Sequence, residues 1–169
     1  MTTIEKDWTT AAGLRAVVLL LDRGHRCGYV GIPAAHPLHG VDYGATSQTV
    51  HFPENESVGK RGVLALLANP DGHARLDSVF DVHGSLTFSG GGDSYPAPSN
   101  GLWWFGFDCA HHGDAPSDVY LQSMREKHPE HPFLWERDAF AVHRDLPYVE
   151  QECESLATQL IQRVAGAAA

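Results

Sequence analysis

Leu14-Arg15-Ala16-Val17-Val18-Leu19-Leu20-Leu21-Asp22-Arg23-Gly24-His25-Arg26-Cys27-Gly28-Tyr29-Val30-Gly31-Ile32 is the stretch on which the fold turns. Residues 14–21 are apolar except for Arg15 and show no polar alternation, which is how a strand reads when both its faces are covered. Asp22-Arg23-Gly24-His25-Arg26 carries turn chemistry, and residues 27–32 resume an apolar pattern with glycines until Pro33 stops it. The expectation is a β-hairpin whose first strand lies inside a sheet.

Working outward, residues 34–56 hold His36-Pro37-Leu38-His39-Gly40 and Asp42-Tyr43-Gly44 without a sustained period, and read as a long loop of the kind that carries function. Residues 57–68 read as a short helix stopped by Asn69-Pro70-Asp71-Gly72. From Asp77 the pattern alternates: Phe80, Val82, Leu86 and Phe88 to one side, Asp81, His83, Ser85 and Thr87 to the other. That predicts a strand with a polar face. Residues 89–100 are rich in Gly, Ser and Pro, and residues 101–108 form an aromatic strand expected to lie antiparallel to the preceding one. Asp145 is placed to cap a helix with Pro147 in its first turn, and Val149, Cys153, Leu156, Leu160 and Val164 recur at spacings that make one apolar stripe. Together these elements predict an α+β fold, an antiparallel β-sheet with a C-terminal helix packed on one face, as a single domain over residues 1–169. Residues 115–136 read as a polar surface excursion and 165–169 as a flexible tail.

The chain has 169 residues, enough for one core without disulfide or structural-metal support. Its 21 acidic residues against 12 Lys and Arg leave a formal charge of -9, which repels a phosphate backbone and excludes long nucleic acid as a partner. Three cysteines without a CxxC pair, no apolar leader and no apolar run near the roughly 20 residues a bilayer needs predict a reduced, cytoplasmic protein without membrane association. Eleven histidines invite metal or acid/base chemistry.

Chemistry concentrates in two blocks. In residues 103–114 a strand delivers Asp108, His111 and Asp114 within seven residues, a set suited to a divalent metal or to metal-free acid/base work. The bland alternative is a capped turn with surface histidines. In residues 81–90, Asp81, His83, Ser85 and Thr87 share a face, and Asp81, two residues before His83 on that face, can orient its ring or raise its basicity. The bland alternative there is a solvated strand face. Cys109 reads more readily as a small buried hydrophobe than as a nucleophile. Trp103 and Trp104 point to opposite faces, so that one can floor a pocket. The expected pocket draws on His36, His83, Asp108, His111 and Asp114. Catalysis is assigned to His83, Asp108, His111 and Asp114, and ligand contacts to Arg26, His36, Tyr43, Thr87 and Trp104. A divalent metal held by Asp108, His111 and Asp114 is compatible with the set.

The blocks at residues 24–33, 36–40, 82–90 and 103–114, followed by Tyr148-Val149-Glu150 and Leu156-Ala157-Thr158-Gln159-Leu160, resemble a family of small bacteriophage and prophage proteins. They depart from it at Ser85, where a second glycine is expected, and in the polar insert after Asp114. The resemblance implies a mobile-element origin, with His83 and residues 108–114 as recurring polar positions, and an accessory role in host nucleotide metabolism or defence signalling. The expected function is hydrolysis of a phosphodiester or glycosidic bond in a small nucleotide, inside an infected or lysogenic host. Two other classes stay open: a sponge that sequesters a cyclic nucleotide or cyclic ADP-ribose-type messenger, and an inhibitor of a host defence protein. A homo-oligomer is compatible with all three.

Overall fold

The computed structural model describes residues 2–50 and 74–167. In chain order its elements are β1 (Thr3–Thr9), β2 (Arg15–Leu20), β3 (Arg26–Ile32), β4 (Thr46–Ser47), β5 (Ala74–Arg75), α1 (Leu76–Val79), β6 (Phe88–Gly91), β7 (Trp103–Asp108), β8 (Asp114–Ala115), α2 (Asp118–Lys127), a 3-10 turn (Pro132–Trp135), β9 (Val142–His143) and α3 (Leu146–Gln162). The fold is α+β. Its centre is a five-stranded antiparallel sheet in the order β1-β2-β3-β7-β6.

The hairpin forms as the apolar run requires. The tip closes through Gly24 N–H to Leu21 O and Leu21 N–H to His25 O, and Gly24 takes the positive φ of 79° that the tight turn needs. β2 is buried on both faces: Ala16 and Val18 join the core beneath α3, while Val17 and Leu19 join a second cluster with Cys27, Tyr29, Ala97 and Trp104. The 92–100 connection supplies Ala97 to that second face, and Tyr29 and Tyr95 meet there hydroxyl to hydroxyl at 2.5 Å.

α3 packs on β2 and β3. Asp145 caps it by accepting from Tyr148 N–H, and Val149, Cys153, Leu156 and Leu160 are buried as the stripe predicted. Gly28 permits the close approach, because a Cβ there would come within 2.7 Å of Cys153 Sγ and overlap the Phe107 ring.

Four sequence expectations change. β1 was not legible, since its Glu5, Lys6 and Asp7 read as polar chain. As an edge strand it spends that polarity on Arg26, Glu150 and Arg15, while Trp8 donates to Glu154 at 2.7 Å. Residues 77–87 are not a strand. α1 leads into a turn in which Ser85 N–H bonds Val82 O, and Gly84 and Ser85 both take positive φ, 65° and 85°. Left-handed backbone cannot continue a strand; the side chains still alternate in burial, so the apolar signal was real and its secondary-structure reading was not. The 115–136 excursion is built from α2 and the 3-10 turn, with Leu121 as the buried residue of α2. Residues 165–167 of the expected flexible tail are tied down: Ala165 N–H bonds Thr49 O and Ala167 packs on the core. The helix expected at residues 57–68 lies outside the described residues.

Candidate functional site

The left-handed turn at Gly84 and Ser85 presents His83 beside the end of β7, and a Cβ at Gly84 would overlap the His111 ring. His83 is held from three sides. Its backbone N–H donates to Glu152 Oε2 at 2.8 Å, its Nε2 lies 2.7 Å from Asp114 Oδ2, and its Nδ1 lies 3.0 Å from the Tyr148 hydroxyl. With the Nε2 proton directed at the carboxylate, Nδ1 accepts from Tyr148.

Asp114 organises the centre. Its side chain is 2% exposed, Arg144 Nε donates to Oδ1 at 2.9 Å, and His111 backbone N–H donates to Oδ2 at 3.0 Å. Burial opposes ionisation of this carboxyl, but the bonds from His83, Arg144 and the His111 backbone outweigh it and hold the group below the usual carboxylate range. The parallel pairing of β8 with β9, Asp114 to Val142 and Ala115 to His143, brings Arg144 next to Asp114 across thirty residues of chain. Arg144 in turn lies over the Tyr148 ring, 4.9 Å from its centroid.

The two remaining groups are open to solvent. His111 sits edge-on to His83 with centroids 5.7 Å apart, and its Nδ1 lies 3.7 Å from Asp108 Oδ1 and 3.8 Å from Asp114 Oδ2. That nitrogen is buried and has no hydrogen-bond partner among the described residues. Asp108, a third exposed, accepts from Thr87 Oγ1 and Ala110 N–H, both at 3.0 Å. Beside Asp114 a cleft of about 270 Å³ opens between α2 and residues 134–141, lined by Tyr120, Leu121, Leu134, Trp135 and Arg137 among others.

His83, Asp108, His111 and Asp114 therefore converge, with Thr87 at the rim on Asp108. Four expected ligand residues are elsewhere or spent. His36 is buried under α3, its Nε2 donating to Leu160 O and its Nδ1 accepting from Leu38 N–H; desolvation lowers its pKa, as for a satisfied core histidine. Trp104 is fully buried on the second face of the sheet, so no base can stack on it. Arg26 is clamped on Glu5 through two bonds and also donates to His143 Nε2 and Arg144 O, leaving it a positioning residue for β9. Tyr43 packs against the core, its N–H on Ser89 Oγ. Cys109 is buried and desolvation pushes its thiol up to about 12, which disarms it as a nucleophile.

Arg144, Tyr148 and Glu152 were missed. Their signal was present: they recur every fourth residue into and along α3, which aligns them on one flank of the helix, offset from the apolar stripe.

No protein-family model, curated protein or solved structure matches the chain. Among the described residues no helix is long and apolar enough to cross a membrane.

Proposed function

We propose that the protein is a small-molecule hydrolase that cleaves a phosphodiester or glycosidic bond of a small nucleotide at the His83–Asp108–His111–Asp114 centre. The observation that carries this reading is the contrast between two carboxylates on one imidazole: Asp114 is buried and locked by Arg144, while Asp108 faces solvent 3.7 Å from the same His111 nitrogen. Carboxylates in such different surroundings take different roles. Asp114 and Arg144 form the rigid frame. Asp108 is the base: it takes a proton from water as the water oxygen bonds to phosphorus or the anomeric carbon, the bond to the leaving group breaks, and the proton passes on to that leaving group. The setting that goes with this reading is the cytoplasm of an infected or lysogenic bacterial host, where the protein would lower an immune messenger.

The test is incubation with a panel of cyclic nucleotides and cyclic ADP-ribose isomers, resolved by chromatography before and after heat denaturation. Product that disappears with Asp108→Asn supports the hydrolase. Intact ligand released only by heat replaces it with the sponge, which the engagement of both His83 ring nitrogens within the chain also favours. A third reading, surface contact with a host protein, rests on Phe133, Leu134, Phe140 and Val142, all more than half exposed. It gains if neither product nor ligand is found.

A further inference from the structure

We propose that His83 Nε2, His111 Nδ1 and Asp114 Oδ2 bind one divalent first-row transition-metal ion, with Asp108 as the carboxylate on its solvent side. One donor atom from each of His83, His111 and Asp114 lies within 4.8 Å of the other two. Ligands about 2.0–2.2 Å from a common ion stand about 3–4 Å apart. The separations from His111 Nδ1 to Asp108 and Asp114, 3.7 and 3.8 Å, fall in that range and are too long for hydrogen bonds, whereas His83 Nε2 and Asp114 Oδ2, hydrogen-bonded at 2.7 Å, must move apart by some tenths of an ångström to admit the ion. A buried ring nitrogen without a partner is costly to maintain, and an ion between it and the carboxylates satisfies it.

The surroundings are arranged as ligand supports. Arg144 engages Asp114 Oδ1 and turns Oδ2 inward, and Tyr148 engages His83 Nδ1, which leaves Nε2 facing the site. On ion binding the proton between His83 Nε2 and Asp114 leaves, the other ring nitrogen becomes the N–H and donates to Tyr148, and the ring keeps its place. Metal-bound imidazoles are oriented by such a bond on the remote nitrogen. Charge agrees as well: Asp108, Asp114 and Glu152 against Arg144 leave two negative charges around the point. Two imidazoles with carboxylate suit zinc, manganese, iron or cobalt better than magnesium or calcium. As the activator of the attacking water, the ion rests on the hydrolase reading; as a binding site it does not.

The full chain, stripped with EDTA and exchanged into chelator-free buffer at pH 7.5, is titrated with Zn²⁺, Co²⁺ and Mg²⁺. Bound metal is counted by mass spectrometry after gel filtration, and the visible absorption of Co²⁺ is recorded. The expected result is one Zn²⁺ or Co²⁺ per chain, a Co²⁺ spectrum typical of low coordination number, and no retained Mg²⁺. His111→Ala should weaken Zn²⁺ binding at least about 100-fold, beyond the loss typical of a ligand's supporting residue, while exposed His112→Ala leaves it unchanged. Far-UV circular dichroism checks folding, and His83→Gln serves if His111→Ala does not fold. No stoichiometric Zn²⁺ or Co²⁺, binding unaltered in His111→Ala and His83→Gln, or equal loss in His112→Ala overturns the site. Ion bound without product from the nucleotide panel overturns the hydrolase and leaves the site. Product formed without ion and unaffected by EDTA leaves the hydrolase standing and overturns the ion as activator of the attacking water.

Discussion

Asp114→Asn probes the frame of the centre with a change of one atom. Both carboxylate oxygens of Asp114 accept only: Oδ1 from Arg144, Oδ2 from His83 and the His111 backbone. An amide in that place must turn its NH₂ toward one of these donors, whichever way it is flipped. One charge-assisted bond is lost, worth about 1.5–3 kcal/mol, and a buried donor is left facing a donor, about 1–3 kcal/mol more. With partial relaxation the expected loss is about 2–4 kcal/mol. Urea unfolding at pH 7, followed by far-UV circular dichroism, should show the midpoint falling by about 1–2 M for a slope near 2 kcal/mol/M. The pH dependence fixes the sign independently. Because the folded-state pKa of Asp114 is depressed, its contribution is fully present above the unfolded value near 4 and is lost as pH falls through the folded one. The gap between parent and variant should therefore narrow below about pH 4. A gap under about 0.5 kcal/mol at pH 7, or one that widens on acidification, refutes the account of Asp114 as the charged hub.

Leu156→Ala, in the centre of the buried stripe of α3, should cost about 2–5 kcal/mol and lower Tm by about 5–15 °C, leaving ligand specificity as in the parent; a variant of parental Tm contradicts the packing. Gly84→Ala combines a positive φ with overlap on His111, so it should both destabilise the fold by about 1–2 kcal/mol or more and displace the imidazole, visible as a shifted His111 resonance in NMR. Burial pushes the Cys27 thiol to about 11 and Cys109 to about 12, from 9.0. Neither should react with a thiol reagent at pH 7 in the folded protein, and the stability tied to them, full below about pH 9, should fade as pH rises toward 11–12. Rapid labelling of native protein at either position refutes their burial.

The fold was legible where burial alone writes the pattern. Residues 14–21 carry enough apolar side chains to cover both faces, and Val149, Cys153, Leu156 and Leu160 sit on one side of a helix by spacing alone. β1 escaped because an edge strand has one face and one margin in water, so its polar residues look like loop until Arg15, Arg26 and Glu150 stand opposite them. The stretch around His83 misled for another reason. Alternating burial is the mark of a strand, yet a one-turn helix followed by a left-handed turn can bury Val79, Phe80, Val82 and Leu86 in much the same order. Ser85, a non-glycine residue, adopts positive φ. It marks a backbone conformation that composition did not reveal.

The chain's own residue order determined which elements are apolar, where the C-terminal helix begins, and that Asp108, His111 and Asp114 stand within one short stretch at a strand end. Local spacing is sufficient for those, because periodicity and caps act over a few residues. Tertiary structure alone decided that His83 meets Asp114, that Arg144 and Tyr148 complete the centre, and that His36, Arg26 and Trp104 are consumed by the scaffold. Those outcomes depend on β8 pairing with β9 and on α3 lying across β2 and β3. Contacts between residues 21 to 124 positions apart are set by how sheet and helix faces pack, and no local pattern carries that information.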